Sequence, residues 1–205
     1  MKRVYLDTET TGFVPGQIAE LTVIVEDTET NQLIAAQNWF FTVDEMDEGA
    51  EKVHGLSRDK LWGLSGGRKF ADCIQEITTI LDGAELVAHN EVFDERFIST
   101  ELWRCGISYR PVSRLCTMEI FKPILAIPSK YKKYGKYKNP KLEEVLNYLN
   151  ISPEKVSEYS KKLFNYNGDT DFHDSRFDTT GMYVAVNVYR EKLHGGTAWH
   201  NAFCL

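Results

Sequence analysis

At 205 residues the chain is most simply one α/β domain with a real core, and its 42% hydrophobic and 26% charged residues are ordinary for a soluble globular protein. A net charge of −6 argues against a bulk nucleic-acid coat protein, which would be basic, without excluding an enzyme that acts on nucleic acid. No apolar run approaches the ~18 residues needed to span a bilayer, and the opening MKRVYLDTET lacks a signal-peptide core, so a cytoplasmic protein without a membrane partner is expected.

Val4-Tyr5-Leu6 reads as a short buried strand ending at Asp7. Ile18 to Val25 and Leu33 to Val43 read as two longer strands, with the polar Asp27 to Asn31 stretch as a hairpin turn. The chain is thus expected to open with a three-stranded, mostly antiparallel meander. A loop carrying Val53-His54-Gly55-Leu56 follows. Then comes a helix with Phe70, Ile74, Ile77 and Leu81 at helical spacing, terminated by Gly83. Leu86-Val87-Ala88 is a fourth strand. Asn90 is placed to cap the next helix, whose Phe93, Phe97 and Leu102 share one face before Gly106. Val112 to Leu115 reads as a fifth strand.

The remaining third reads as helical. Asn139-Pro140 predicts a cap followed by proline at the first helical position, and Ser152-Pro153 repeats that signal. After a polar loop over Asn165 to Asp171, a helix carries Asp178 and runs to about Lys192. A domain over 1–192 and a tail over 193–205 are expected. Cys73, Cys105, Cys116 and Cys204 are scattered without a Cys-x-x-Cys pair, which suits reduced thiols better than disulfides or zinc.

Three places offer chemistry. Asp7 and Glu9 lie two apart on a strand, so both carboxylates address one side, and Thr10-Thr11-Gly12 then turns the backbone close to any ligand. Asp94 falls in the first turns of a helix after a strand, at the carboxyl edge of the sheet, where open α/β proteins keep their ligands. Asp178 would face the first strand, with Gly181 one turn later allowing its helix to pack tightly, and His173 lies just before on a polar loop. Each feature alone is ordinary: an acidic strand end, a carboxylate favoured by a helix dipole, a surface histidine. Together they gather acid without nearby lysine, and like charges that close repel unless cations bind. Such hard oxygen ligands suit Mg²⁺ or Mn²⁺.

Leu6-Asp7-Thr8-Glu9-Thr10-Thr11-Gly12, the Asn90-x-x-Phe93-Asp94 element and the His173-x-x-x-x-Asp178 element resemble the three exonuclease motifs of the DEDDh branch of DnaQ-like 3′→5′ exonucleases. That group includes the proofreading subunit of the bacterial replicative polymerase, ribonuclease T and oligoribonuclease. Val53-His54-Gly55-Leu56 and Cys116-Thr117-Met118 are similar to secondary features of the family. The tyrosine branch would want Tyr four positions before the last Asp, where this chain has Asp174.

The resemblance implies a ribonuclease H-like α/β fold: a central five-stranded mixed sheet, an antiparallel meander plus parallel strands, flanked by helices. It implies Asp7, Glu9, Asp94 and Asp178 as ligands of two Mg²⁺ (or Mn²⁺) ions that clamp an in-line displacement, with His173 as general base for the attacking water. The product would be nucleoside 5′-monophosphates. Thr10, Thr11 and Gly12 should approach the terminal 3′-hydroxyl, Asn90 belongs to the same pocket, and Phe13 or Phe93 would pack against a base. The chain departs from the pattern at Ser175, where a small apolar residue is common. Asp171 and Asp174 surround His173 with extra acid, and the Ile151 to Phe172 segment is longer than the family leads one to expect. No sequence resembling a polymerase-binding tail or clamp-binding peptide is evident, and the oligomeric state is not legible.

Lys130 to Lys141 holds six lysines and three tyrosines with no acid. Single-strand binders use that mixture, lysines tracking phosphates while rings stack bases. Lys132, Lys133 and Lys136 are therefore expected to grip the single strand behind its 3′ end; the plain alternative is a solvated loop with lysine stems over apolar surface. Single-stranded DNA is the expected substrate. The alternatives are an RNA-trimming enzyme of the ribonuclease T or oligoribonuclease kind, and a non-catalytic nucleic-acid-binding module, against which the five intact chemical positions speak.

Overall fold

The computed structural model of the chain describes residues 1–131, 135–168 and 170–194. Strands β1 (Lys2–Thr10), β2 (Ile18–Asp27), β3 (Leu33–Phe40), β4 (Glu85–Ala88) and β5 (Ser113–Cys116) form one sheet in the order β3-β2-β1-β4-β5. The β1–β2 and β2–β3 pairs are antiparallel; β1–β4 and β4–β5 are parallel. This is the mixed five-stranded sheet read from the sequence. β1 runs beyond its expected end at Asp7, because β2 keeps pairing with it through Glu9↔Glu20 and Thr10↔Ile18. β3 ends at Phe40 rather than Val43.

The helices are α1 (Glu48–His54), α2 (Arg58–Ser65), α3 (Ile74–Leu81), α4 (Glu91–Arg104), α5 (Thr117–Leu125), α6 (Leu142–Leu149), α7 (Pro153–Phe164) and α8 (Ser175–His194). Among the described residues, no helix is long and apolar enough to cross a membrane.

Four of these helices depart from the sequence reading, α2 among them, since no helix was read over Arg58–Ser65. α1 sits where a loop was expected; it buries none of its residues, so it has no apolar stripe to betray it. α5 carries Pro123 in its interior, a residue that reads as a breaker. α6 starts at Leu142 with Lys141 as its cap, two positions beyond the expected Asn139-Pro140 start. Pro140 is instead buried, its carbonyl accepting from His89 Nε2 at 3.0 Å, while Glu144 closes the cap on Lys141 N at 2.8 Å. α7 does begin as read, Ser152 Oγ accepting from Lys155 N.

Strand alternation sorts β1 into two layers. Val4 and Leu6 pack with Leu86, Ile77, Phe97 and Leu102, so α3 and α4 cover that face. Tyr5 packs with Val87, Leu146, Val156 and Val184 on the other, under α6, α7 and α8. By the same alternation Asp7 and Glu9 face the α8 layer, and Thr8 faces α4.

β2 is buried from Ile18 to Glu26, including Glu20, Thr22 and Glu26, which stand opposite Glu9, Asp7 and Arg3 in the ladder. Buried polar groups are costly unless paired. Glu26 holds Arg3 at 3.1 Å and Arg190 at 2.8 Å, Thr22 Oγ meets Ser175 Oγ at 2.5 Å, and Glu20 accepts from Asn38 Nδ2 at 2.7 Å. Arg190 and Ser175 belong to opposite ends of α8, so this polar row fixes the helix lengthwise along β2.

Candidate active site

β4 stops pairing with β1 at Tyr5↔Val87, while β1 continues to Thr10. The overhanging edge of β1 therefore has backbone donors without a strand to receive them. The chain leaves β4 through His89 and Asn90 and enters α4, whose first turn returns a carboxylate to that edge. Thr8 donates to Asp94 Oδ1 from its backbone N at 3.1 Å and from Oγ1 at 2.8 Å. Asp94 thus takes the place of the missing strand partner, in the plane of the sheet beside Asp7.

Asp7, Glu9 and Asp178 come together on the α8 face. Each offers a carboxylate oxygen, and these oxygens lie within 4.8 Å of one another. Asp94 is not one of that trio; its Oδ1 is held by Thr8. Asp178 Oδ2 accepts from the backbone N of His173 at 3.1 Å, while its Oδ1 is buried with no hydrogen-bond partner.

The electrostatics follow from burial and crowding. Burial first, then Asp94 and Asp178, push the Asp7 carboxyl well above the usual range. Glu9 is raised by burial and by Asp7. Burial lifts Asp94 to about 7, against the lowering hydrogen bonds from Thr8. Asp178 is also pushed to about 7, by burial and then by Asp174 and Asp171, with the His173 N–H opposing. Ionising this cluster is unfavourable as it stands. The orphaned Asp178 oxygen and the all-carboxylate donor set fit a hard divalent cation.

His173 is exposed, with its backbone in the left-handed region at φ 71°. The extra acids around it are engaged elsewhere. Asp174 grips Arg176 through two bonds, Nε to Oδ1 at 2.9 Å and Nη2 to Oδ2 at 2.6 Å, and Asp171 Oδ1 accepts from Phe172 N at 2.8 Å. Arg176 and the buried Glu20 are the neighbours that reading the sequence for motifs missed. The available signal was a glutamate within the apolar Ile18 to Val25 run, since a carboxylate there demands a cation.

The turn after β1 is braced at many points. Thr10 Oγ1 donates to Gly12 O at 2.9 Å, Thr11 N donates to Gln17 O at 3.0 Å, and Asp47 N donates to Thr11 O at 3.0 Å. A Cβ on Gly12 would come within 2.8 Å of Asp47 Oδ2, so this close approach requires glycine unless Asp47 moves. His54 contributes as well. Its Nδ1 accepts from Leu56 N at 3.0 Å, which leaves Nε2 as the N–H that donates to Thr10 O at 3.2 Å. Burial lowers the His54 pKa, favouring this neutral form.

Phe13 projects from the same turn, 85% exposed, its carbonyl accepting from Arg96 Nη2. Phe93 differs: its ring packs 4.9 Å from Phe97 beneath Arg96, inside the α4 layer. Asn90 is the N-cap position of α4 but makes no side-chain cap bond. Its backbone is left-handed at φ 83°, a conformation Asn tolerates at a tight strand exit. Lys132 and Lys133 lie outside the described residues. Lys136 is exposed on a short antiparallel ribbon in which Pro128 pairs with Tyr137, its ammonium 5.1 Å from the Tyr137 ring centroid.

The model of a family described as Exonuclease matches residues 4–152. The DNA polymerase III subunit epsilon of Rickettsia felis is 29% identical over 105 residues, covering 50% of this chain and 44% of that protein. The chain thus spans less than half of that curated relative. A structure of E. coli exonuclease I in complex with a 5cy-dT13 oligonucleotide superposes with a TM-score of 0.69 at 15% identity, over 95% of this chain and 41% of that one. Exonuclease X in complex with 5′ overhanging duplex DNA superposes with a TM-score of 0.61 at 16% identity, over 97% and 96% of the two chains.

Proposed function

Because the chain belongs to the exonuclease family, we propose that it is a 3′→5′ exonuclease of the DEDDh branch, acting on the 3′ end of single-stranded DNA and releasing nucleoside 5′-monophosphates. The observation that carries this is the meeting of Asp7, Glu9 and Asp178 oxygens within 4.8 Å, with His173 bonded to Asp178 at the rim.

Asp7, Glu9 and Asp178 would hold divalent cation, with Asp94 alongside, and the pair of Mg²⁺ or Mn²⁺ ions that the family uses would supply Lewis-acid stabilisation of the oxygens that gain charge. The protein's own part is positional and protolytic. His173 takes the proton of the attacking water and, being exposed, passes it to solvent. The braced Thr10–Gly12 backbone receives the terminal sugar, and Phe13 offers a ring to its base. Lys130, Lys132, Lys133 and Lys136 follow the phosphates behind the scissile end. DNA is favoured over RNA because the two structural neighbours described above hold DNA.

The test is a panel of 3′-labelled single-stranded DNA, duplex DNA, RNA and dinucleotides with Mg²⁺ or Mn²⁺. Single-stranded DNA should be degraded fastest, from the 3′ end. Asp7→Ala should abolish turnover, and His173→Ala should slow it by about 10²–10⁴-fold. Full activity of His173→Ala near neutral pH would remove the assigned base, and faster degradation of RNA would move the substrate to the ribonuclease alternative.

A further inference from the structure

We propose that Arg176 is a positioning residue for His173, holding it at the rim of the carboxylate cluster through a bidentate grip on Asp174; this rests on His173 being the base. His173 sits between Phe172 and Asp174 in a left-handed conformation, φ 71°, that is uncommon for a residue with a Cβ and that the surrounding contacts hold in place. In that conformation its N–H turns to Asp178 Oδ2 at 3.1 Å, so backbone geometry and cluster geometry are tied together.

The contacts that hold it converge on one guanidinium. Arg176 donates to both oxygens of Asp174, at 2.9 and 2.6 Å, and its backbone N donates to Oδ1 at 3.0 Å. Its guanidinium lies 4.1 Å from the Tyr166 ring centroid and 5.3 Å from that of Phe40. Its Nε stands 3.7 Å from Oε1 of Glu20, which is 1% exposed and opposes Glu9 across the β1–β2 ladder. Tyr166 itself is tied to Ser160 of α7 at 3.2 Å and to Thr170. Arg176 is therefore clamped by β2, β3 and Tyr166, and Asp174 is the only acidic side chain it grips by two short bonds among the described residues. The flat guanidinium supplies parallel donors and two stacking faces, which an ammonium cannot.

This gives Tyr166 a task. Stacked on Arg176, it fixes the arginine, which fixes Asp174, which fixes the turn at His173. A displacement of the base by about 1 Å is enough to cost on the order of 10²-fold in rate.

The test uses the full chain carrying Arg176→Lys, Asp174→Asn, the two together, and His173→Ala. With Mn²⁺ and a 3′-labelled dT oligonucleotide, each single variant should lower kcat by about 10–100-fold, with KM and the calorimetric Mn²⁺ affinity within about threefold of wild type. The double variant should be no slower than the worse single, because one device has been removed once. In metal-free protein, hydrogen exchange at the His173 amide should rise at least about tenfold in each variant. Asp174→Asn keeps the test alive should Arg176→Lys fold poorly. The proposal is overturned by kcat within twofold of wild type, by unchanged amide exchange, or by Mn²⁺ affinity falling in step with kcat. Loss of activity in His173→Ala with none in the Arg176 and Asp174 variants would sink this proposal alone. An active His173→Ala would sink the assignment of the base, leaving amide exchange to judge the positioning.

Discussion

Asp94→Asn should stabilise the metal-free protein while impairing the enzyme. Asp94 is buried, and burial lifts its carboxyl from 3.8 to about 7. The unfolded chain releases this proton near pH 4, whereas the folded chain keeps it until about pH 7. The stability contributed by the raised value is therefore present below about pH 4 and is lost as pH rises toward 7. A rise of about three units at about 1.4 kcal/mol each sets a ceiling of about 4 kcal/mol. Burial is the main cause of that rise and Asp94 titrates together with a neighbouring group, so about 2 kcal/mol is the working figure. In the variant, an amide oxygen can still accept from Thr8 N and Oγ1, so the hydrogen bonds survive and only the charge goes. At about 2–4 °C per kcal/mol for a chain of this size, EDTA-treated Asp94→Asn should melt about 4–8 °C above wild type at pH 8, with the gap closing toward pH 4. A variant that melts at or below wild type at pH 8, or a gap independent of pH, would refute the electrostatic reasoning.

Ser at Lys130, Lys132, Lys133 and Lys136 should flatten the dependence of log affinity for single-stranded DNA on log salt, by about 0.7 for each phosphate no longer neutralised; an unchanged slope puts the strand elsewhere. Gly181→Ala should be neutral or stabilising by up to about 1 kcal/mol, since helix propensity favours Ala. Its Cβ would stand 3.4 Å from Leu146 Cδ1 and 3.6 Å from Leu142 and Val156, ordinary van der Waals distances. A loss above about 1 kcal/mol in denaturant melts would restore the reading that glycine is needed there for close packing.

The first two motifs were legible because each lies where an apolar run ends, the third because His173 and Asp178 open a helix after a polar loop, and strand alternation alone places Asp7 and Glu9 on one side. Asp94 shows the limit of that reading. Its spacing from β4 indicates the right edge of the sheet, but only the overhang of β1 beyond β4 explains why its oxygen turns to Thr8. α1 stayed hidden because a helix that buries nothing leaves no periodic trace. Arg176 was overlooked for a different reason. Its partners Glu20, Phe40 and Tyr166 come from β2, β3 and the loop after α7, and such long-range convergence has no local signature.

The central claim is that carboxylates from β1, α4 and α8 form one divalent-cation site. Anomalous diffraction from a crystal soaked in Mn²⁺ tests it most directly. The expected result is manganese density against Asp7, Glu9 and Asp178, with a second peak on the Asp94 side. Manganese that bound only elsewhere, or a soak that left these side chains unliganded at saturating Mn²⁺, would contradict it.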